Sequence, residues 1–417
     1  MDAFTYRGGS LLCESLRAAD LAAEVGTPAY VYSRRAIESS FRRLAEAFAP
    51  VQPLICYAVK ANGTLAILRI LRDLGSGFDI VSGGELYRVE KAGGEPARTV
   101  FAGVGKTDEE IRQALAAGIL MFNVESESEL QALDRVAGGM GAQARAALRL
   151  NPDVDPGTHD YIATGKKETK FGIDLATARA LVARMAAFPS VRLVGYHAHI
   201  GSQVVDPEAH AASLRKVVAF AQEHGPPEGE IEYLNIGGGF GIDYRPGEAP
   251  GPETFAELLV PLIRQSGKKL LMEPGRFIIG NAGILLTRVL HVKRSQGRRF
   301  VICDAAMTEL IRPALYGAYH AVWPVRSDAP FGSDGFAPAD VVGPVCESGD
   351  FLARERPLPE VAQGDLLAVF SAGAYGSAMS SNYNTRPRPC EVLVEGTTHR
   401  VVRRRETYED LIRNEVL

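Results

Sequence analysis

Lys60 is the first of several side chains in this sequence whose type and position suit covalent chemistry. It directly follows the apolar run Cys56–Val59, and Asp79 lies in the next such run along the chain. A lysine in an apolar setting is a nucleophilic amine that can form a Schiff base with a carbonyl group. The alternative is a lysine at the end of a strand whose amine only reaches water. Position alone leaves both interpretations open.

A second group of residues suits an anionic ligand. Gly237, Gly238 and Gly239 form a triple glycine, whose backbone N–H groups can approach a phosphate closely. Glu273 and Arg276 stand in a Pro-Gly turn, where a carboxylate could contact a ring nitrogen and a guanidinium an anion. The alternatives are an ordinary strand-to-helix turn for the glycines and an ion pair that shapes a loop for Glu273 and Arg276.

Two histidines and a cysteine complete the candidates. His197 and His199 are two residues apart on an expected strand, so their side chains share a face. With Glu273 they would make only three ligands of a metal site, so the sequence favours stacking on an aromatic cofactor or core packing, and no metal is predicted. Cys346 lies in a polar, turn-rich segment and is either an inert thiol or a reactive one.

The elements that position these residues alternate between short apolar runs and longer amphipathic ones. Strand–helix alternation with strands apolar on both faces predicts a parallel sheet, and eight such units fit a closed (β/α)8 barrel. A doubly wound open sheet is the alternative, but the first turn, Lys60-Ala61-Asn62-Gly63, lacks the G-x-G-x-x-G pattern. Nearly every candidate follows a strand at the end where barrel enzymes build their active sites. The eight runs are Leu54–Val59, Phe78–Val81, Thr99–Ala102, Leu120–Val124, Ala146–Leu150, Leu193–His199, Tyr233–Ile236 and Lys269–Met272.

After Gly280 the pattern changes to strand-like runs separated by loops rich in proline and glycine. These runs predict an antiparallel β domain, which the strand-like segment Pro28–Tyr32 near the N-terminus could join. We therefore expect a barrel over residues 33–281 and a β-sheet domain built from residues 1–32 and 282–417. The C-terminal runs are Ile284–Val292, Arg299–Cys303, Leu366–Phe370 and Val392–Val394.

Composition excludes several classes of protein. The chain has 417 residues and a formal net charge of −4, which argues against a nucleic-acid or anionic-membrane partner. The first residues lack the basic and apolar regions of a signal peptide, and no apolar stretch is long enough to span a bilayer. The five cysteines form no C-x-x-C pair. We expect a soluble, cytoplasmic protein with reduced thiols.

Taken together, these motifs resemble the fold-type III pyridoxal-phosphate decarboxylases and, within them, the diaminopimelate decarboxylases. The matching segments follow the family's order from residue 57 to residue 376, so the resemblance covers essentially the whole chain. They are Tyr57–Asn62, Phe78–Glu85, Lys170–Ile173, His197–Gln203, Asn235–Phe240, Glu273–Arg276, Ile311–Tyr316, Cys346–Asp350 and Gly373–Gly376.

The resemblance implies the cofactor, pyridoxal 5'-phosphate (PLP), and a role for each matching residue. Lys60 holds the cofactor covalently and is displaced by the substrate amine, and Cys346 donates a proton after CO2 leaves. Cys346 acts across a homodimer interface, so each active site needs both subunits. The implied cofactor-binding residues are Lys60, Asp79, His199 (stacked on the ring), Ser202, Gly237, Gly238, Gly239, Glu273 (on the ring nitrogen), Arg276 and Tyr375. The implied substrate-binding residues are Arg276, Arg312, Tyr316, Glu347 and Tyr375.

The implied reaction is decarboxylation of meso-2,6-diaminopimelate to L-lysine, the final step of lysine biosynthesis. A protonated pyridine ring is the electron sink that loss of CO2 requires, and a carboxylate at Glu273 keeps it protonated. Arg312 and Glu347 suit the distal carboxylate and ammonium groups of the substrate, with the pairing left open. The alternatives are decarboxylation of ornithine, arginine or carboxynorspermidine, a racemase, a non-catalytic PLP carrier and a metal-dependent hydrolase.

Overall fold

A computed structural model describes residues 3–155, 170–226 and 229–416 of the chain. The chain divides into two compact units. The barrel unit consists of Ser40–Ile242 and Gly247–Phe277. The β unit consists of Met1–Ser39, Asp243–Pro246 and Ile278–Leu417, so it gathers both ends of the chain.

The regular elements follow in chain order. The strands are β1 Phe4–Arg7, β2 Ser10–Cys13, β3 Leu16–Arg17, β4 Ala29–Ser33, β5 Leu54–Ala58, β6 Gly77–Ile80, β7 Thr99–Phe101, β8 Met121–Val124, β9 Ala144–Asn151, β10 Ile173–Asp174, β11 Val191–His197, β12 Tyr233–Asn235, β13 Lys269–Met272, β14 Gly283–Ser295, β15 Arg298–Cys303, β16 Val322–Pro324, β17 Pro338–Val342, β18 Phe351–Pro357, β19 Leu366–Val369, β20 Cys390–Glu395 and β21 Thr398–Arg403. The helices are α1 Ala18–Val25, α2 Arg34–Ala47, α3 Leu65–Asp73, α4 Gly83–Lys91, α5 Asp108–Ala117, α6 Glu127–Gly139, α7 Leu175–Ala183, α8 Pro207–Glu223, α9 Pro252–Ser266, α10 Arg276–Ile279, α11 Arg312–Tyr316 and α12 Tyr408–Ile412.

Eight parallel strands close into a barrel, as the sequence predicts. Strands β5 to β9 and β11 to β13 pair in succession, and β13 pairs with β5 to complete the ring. The two-residue strand β10 pairs in parallel with β9 and is not one of the eight strands of the ring. Each of the eight predicted apolar runs coincides with one barrel strand, which confirms the fold class.

The sequence also explains where the barrel helices begin. Helices α4, α5 and α6 start after Ser82, Thr107 and Ser126, and each of these side chains accepts a hydrogen bond from a backbone N–H in the first turn. Such caps stabilise a helix by about 1 kcal/mol each. Each cap fixes the first turn of a helix that follows a barrel strand.

The β unit is built on a mostly antiparallel sheet whose centre is the 13-residue strand β14. Strand β14 pairs with β4 and β19 near its start and with β15 further on. Strand β4, near the N-terminus, also pairs in parallel with β20, near the C-terminus. The predicted antiparallel domain joined by an N-terminal strand is therefore confirmed.

Some strands of the β unit have no counterpart in the sequence prediction. Strands β1 to β3 form a small antiparallel sheet of very short strands. Strand β18 pairs with β17 at the edge of the large sheet, and its sequence, Phe-Leu-Ala-Arg-Glu-Arg-Pro, carries charged side chains. Edge strands tolerate proline and charge, so their sequences lack the apolar run that identifies a central strand.

Within the described ranges, no helix combines the length and the hydropathy needed to cross a membrane.

Candidate active site

Lys60 and Asp79 form an ion pair at the carboxyl ends of two neighbouring barrel strands. Lys60 lies in a short 3-10 turn directly after β5, and its Nζ contacts Oδ2 of Asp79 on β6. The Asp79 side chain is fully buried, and its other oxygen, Oδ1, has no hydrogen-bond partner. The contact holds the Lys60 amine at the carboxyl end of the strands and leaves one buried acceptor atom of Asp79 unused.

Two buried carboxyl groups in the barrel have pKa values that move in opposite directions. Burial, reinforced by the charge on Glu273, raises the pKa of Asp79 to about 8, although the Lys60 ammonium opposes this shift. Burial also acts to raise the pKa of Glu273, but attraction to His197 and Lys60 and hydrogen bonds outweigh it, so that pKa is lowered. Paired carboxyl groups with separated pKa values are typical of active sites.

Glu273 follows β13, and two asparagine side chains hold its carboxylate. The side-chain amides of Asn123 and Asn235 both donate to Oε1, at 2.8 and 2.6 Å. The other oxygen, Oε2, lies 3.3 Å from Nε2 of His197. All four side chains are buried. Donors on a carboxylate favour its ionised form, so this arrangement fixes an ionised, oriented Glu273 inside the barrel.

The glycine segment after β12 lies directly against His199. The backbone N–H of Gly238 donates to Nδ1 of His199 at 3.2 Å. A Cβ on Gly237 would lie 2.6 Å from the same nitrogen, which is too close for a side chain. Gly237 also has a φ of 65°, a backbone conformation that favours glycine. Burial, with the charges of Arg149 and Lys60, lowers the pKa of His199 well below its usual value, which keeps the imidazole neutral.

The side chains of Arg276 and Ser202, both in the barrel unit, are hydrogen-bonded to each other. Arg276 is the first residue of α10, and its Nη2 and Nε donate to Oγ of Ser202 at 2.9 and 3.3 Å. The guanidinium is buried, so its charge is poorly screened by water. A buried guanidinium beside a hydroxyl group and a glycine-rich segment is suited to an anionic ligand.

In the β unit, the predicted substrate residue Arg312 is buried and has several polar contacts. It is the first residue of α11 and is buried; its Nη2 donates to the Tyr244 hydroxyl group at 2.9 Å. Its Nε donates to Nε2 of His320 at 3.3 Å, and the other ring nitrogen of His320 bonds the Phe370 carbonyl oxygen. The guanidinium carbon lies 5.9 Å from the ring centroid of Tyr316. These contacts hold a positive charge at a defined position.

The remaining predicted residues of the β unit lie on two loops. Cys346 is exposed, and its backbone N–H donates to Oδ1 of Asn384 at 2.8 Å. Glu347 is also exposed and accepts a hydrogen bond from the backbone of Gly349 at 3.2 Å. Tyr375 is partly buried and has a φ of 55°, an uncommon conformation for a tyrosine that the surrounding turn must enforce.

The structure thus brings most predicted cofactor residues together in the barrel unit, while Cys346, Arg312, Tyr316, Glu347 and Tyr375 belong to the β unit. The sequence prediction missed Asn123 and Asn235 as site residues. Each is a polar residue in an otherwise apolar barrel strand. Because an unpaired buried amide is costly, a polar residue in such a strand indicates a hydrogen-bond partner inside the barrel. The sequence alone could therefore have identified both asparagines as candidates.

The barrel residues fit a phosphorylated pyridine aldehyde. Lys60 supplies an amine, Glu273 an ionised carboxylate for a ring nitrogen, and His199 a neutral ring for stacking. The triple glycine leaves room that a Cβ would fill, and Oδ1 of Asp79 is a buried acceptor without a partner. Among the described residues, no three His, Cys, Asp or Glu side chains are arranged to hold a metal ion.

Comparison with known proteins agrees with this geometry. Residues 34–280 match the family model described as "Pyridoxal-dependent decarboxylase, pyridoxal binding domain". The chain is 48% identical to the diaminopimelate decarboxylase of Pseudomonas aeruginosa, with 100% of this chain and 99% of that protein aligned.

Two solved structures are also similar. Diaminopimelate decarboxylase from Helicobacter pylori complexed with L-lysine is 40% identical, with a TM-score of 0.88 over 95% of this chain and 98% of that one. The enzyme from M. jannaschii in complex with L-lysine is 37% identical, with a TM-score of 0.92 over 100% and 98%. Similarity of this extent covers both units of the chain.

Proposed function

The chain belongs to the pyridoxal-dependent decarboxylase family, and from this membership we propose that it converts meso-2,6-diaminopimelate to L-lysine and CO2. Its cofactor is pyridoxal 5'-phosphate. The observation that carries the proposal is the buried Glu273 carboxylate with two amide donors on one oxygen, because a carboxylate held ionised keeps a ring nitrogen protonated. The bound cofactor supplies an electron sink for the pair of electrons that loss of CO2 leaves on the α-carbon.

The residues of the barrel unit would bind and orient the cofactor. Lys60 would hold it through its amine, which the amino group of the substrate would replace. The neutral ring of His199 would pack on the pyridine, and the buried carboxyl group of Asp79 would accept a hydrogen bond from the lysine amine. Gly237–Gly239, Ser202 and Arg276 surround the phosphate, where backbone N–H groups and a guanidinium are the natural partners of an anion. The family resemblance also assigns Tyr375 to the cofactor.

Cys346 is the proposed proton donor. After the bond to the departing carboxylate breaks, its Sγ–H gives a proton to the α-carbon, and the resulting thiolate regains a proton from water. Cys346 is not buried within its own chain, so its thiol is available to a site formed with a second subunit. General acids of this kind contribute about 10²- to 10⁴-fold in rate.

Arg312, Tyr316, Glu347 and Arg276 form the proposed substrate-binding set. A second amino-carboxylate end distinguishes diaminopimelate from ornithine and arginine, which have no distal carboxylate. The buried guanidinium of Arg312 suits that carboxylate, because charge-assisted hydrogen bonds between a guanidinium and a carboxylate are strong and geometrically specific. The exposed carboxylate of Glu347 then suits the distal ammonium group.

We further propose that two copies of the chain share their active sites. In this arrangement the barrel, residues 33–281, binds the cofactor, and the β domain, residues 1–32 and 282–417, contributes to the substrate site and the dimer interface. Cys346 of one subunit then acts in the site of its partner. We infer that the enzyme works in the cytoplasm, where its thiols remain reduced.

The test of the reaction is a single assay with matched substrates. Purified enzyme with PLP is incubated with meso-diaminopimelate, ornithine or arginine, and lysine, amine products and CO2 are measured; a Lys60→Ala variant is the blank. Lysine and CO2 in equal amounts from diaminopimelate alone are expected. A PLP absorbance band without product from any substrate would contradict the proposal.

The shared site is tested by mixing two inactive variants. Lys60→Ala and Cys346→Ala subunits are unfolded, refolded together in equal amounts and assayed. If sites are shared, random pairing gives hybrid dimers with one intact site, and roughly a quarter of wild-type activity returns. Mixtures as inactive as the parents would show that each site uses one subunit only.

A further inference from the structure

The segment Gly343–Asp350, here called the Cys346 loop, is held by side chains bonded to its backbone. The backbone N–H of Val345 donates to Oδ2 of Asp350 at 2.7 Å, and the other oxygen of Asp350 accepts from the backbone of Met307. The next N–H, that of Cys346, donates to Oδ1 of Asn384 at 2.8 Å. Asp350 thus bonds the loop within itself and to residue 307, while Asn384 joins Cys346 to a different segment.

Asn384 is itself in a tightly defined position. It has φ 54° and ψ 27°, the left-handed conformation that glycine, asparagine and aspartate adopt most readily. Its neighbour Asn382 donates through Nδ2 to Oε2 of Glu406 at 2.6 Å, and the backbone N–H of Arg388 donates to the same oxygen at 2.8 Å. Glu406 therefore fixes the segment on both sides of Asn384.

Two requirements meet at Asn384. The backbone needs a residue that tolerates a positive φ, and the N–H of Cys346 needs an acceptor oxygen at the end of a short side chain. Glycine meets the first requirement but offers no acceptor, and alanine meets neither. Asparagine and aspartate meet both.

The need for such an anchor follows from the exposure of Cys346. The other four cysteines of the chain, Cys13, Cys56, Cys303 and Cys390, are buried, where packing fixes a side chain. Cys346 is exposed in the single chain, so packing within its own subunit does not fix it, and its backbone bond to Asn384 must help direct the thiol. A proton donor that is displaced by about 1 Å loses a large part of its rate advantage.

We propose that Asn384 is a positioning residue for the proton-donating thiol, acting through the backbone N–H of Cys346. This inference rests on the proposed function, in which Cys346 protonates the α-carbon. A misplaced thiol would no longer deliver its proton to the α-carbon after CO2 is lost. Part of the decarboxylated substrate would then be released by water as an aldehyde, with its amino nitrogen left on the cofactor as an amine. The ratio of lysine to CO2 then falls below one.

The experiment compares Asn384→Gly with Asn384→Asp in the holoenzyme. Glycine keeps the left-handed backbone and removes the acceptor, whereas aspartate keeps both. For Asn384→Gly we expect kcat to fall about ten-fold, the size expected for one lost hydrogen bond, with KM nearly unchanged and a lowered ratio of lysine to CO2. Asn384→Asp is expected to retain the wild-type ratio and most of kcat. Cys346→Ala gives the lower limit of the ratio.

A second readout does not depend on turnover. Because Cys346 is the exposed cysteine, its alkylation by iodoacetamide is measured by mass spectrometry, with Cys346→Ser as the blank. We expect the rate of Cys346 alkylation in Asn384→Gly to differ from the wild-type rate, and the rate in Asn384→Asp to equal it. Equal losses in both variants, or an unchanged product ratio and alkylation rate in Asn384→Gly, would overturn the inference. Absence of lysine from the wild-type enzyme would instead refute the proposed function, and the alkylation rates would still judge Asn384.

Discussion

The barrel unit and the β unit hold their functional side chains in different ways. In the barrel, Asp79 and Glu273 are buried at strand ends, and Glu273 has two amide donors on one oxygen. In the β unit, Cys346 and Glu347 lie exposed on a loop. Electron-sink chemistry needs fixed charges in a dry site, whereas substrate recognition and proton exchange with water need access. The buried strand ends of the barrel suit the first requirement, and the exposed loop of the β unit suits the second.

Removing the covalent partner from the barrel gives the largest expected effect. Lys60→Ala should lower the rate of lysine formation by about 10³-fold or more, since a group that reacts with both cofactor and substrate is lost. Lys60→Arg is the matched control, because it keeps a positive charge beside Asp79 without a reactive amine. Steady-state kinetics and the visible absorbance of the cofactor are the measurements. Substantial activity in Lys60→Arg would mean that only the charge matters.

Changing the charge of the fixed carboxylate tests whether the barrel acts electrostatically. Glu273→Gln still accepts hydrogen bonds from Asn123 and Asn235 but cannot keep a ring nitrogen protonated. We expect kcat to fall by about 10²- to 10³-fold with the cofactor still bound. Glu273→Asp, which keeps the charge on a shorter side chain, should lose less. A wild-type kcat in Glu273→Gln would refute the electron-sink role of this residue.

The β unit is tested first at its thiol. Cys346→Ala should bind PLP as the wild type does yet form lysine about 10²-fold more slowly, because the proton donor is gone. Binding is followed by absorbance and lysine by amino-acid analysis. Unchanged product formation would remove Cys346 from the mechanism.

Arg312→Ala should have a smaller effect that falls on binding. Loss of the guanidinium removes a charge-assisted contact to the distal carboxylate, so KM for diaminopimelate should rise about 10- to 100-fold while kcat changes less. Arg312→Lys keeps the charge and should be intermediate. Unaltered KM and kcat/KM in Arg312→Ala would count against the assignment.

The smallest effect on activity is expected at Glu309 of the β unit, whose contribution to stability depends on pH with the opposite sign to that of Glu273. Burial raises the pKa of Glu309 to about 7, whereas the unfolded chain titrates near pH 4. Its protonated form is favoured in the folded state, so its stabilisation is full at low pH and is lost as the pH rises from about 4 to about 7. For Glu273, whose pKa is lowered, stabilisation is instead lost as the pH falls.

Glu309→Gln keeps an acceptor for the N–H of Ala306 and the hydroxyl group of Thr308 but cannot ionise. Urea unfolding of wild type and variant between about pH 4 and pH 8 should show a smaller decline in stability for the variant. Activity should change little, because among the contacts described the Glu309 side chain bonds only to the Ala306 N–H and to the Thr308 hydroxyl group. Parallel pH curves for the two proteins would contradict the raised pKa.

Much of the barrel and little of the β unit's detail could be predicted from the sequence. Buried parallel strands are apolar on both faces, so β5 to β13 could be identified apart from the two-residue β10, and Lys60 and Glu273 stood out at their ends. Edge strand β18 and the short strands β1 to β3 carry no such pattern. The bond from Cys346 to Asn384 joins positions 38 residues apart and depends on a left-handed backbone, which no local pattern encodes. The roles of the individual site residues stay predictions until the variants above are made.

The pairing of β4 with β20 affects how the chain folds as it is synthesised. Ala29 is opposite Cys390, so the sheet of the β unit cannot be completed until almost the whole chain has been made. At roughly 5–20 residues per second, β20 is synthesised tens of seconds after β4. Every strand of the barrel is made in that interval. The barrel can therefore form while the ribosome is still working. A nascent chain stopped before residue 390 leaves β4 with an open edge, the kind of strand edge on which aggregation begins.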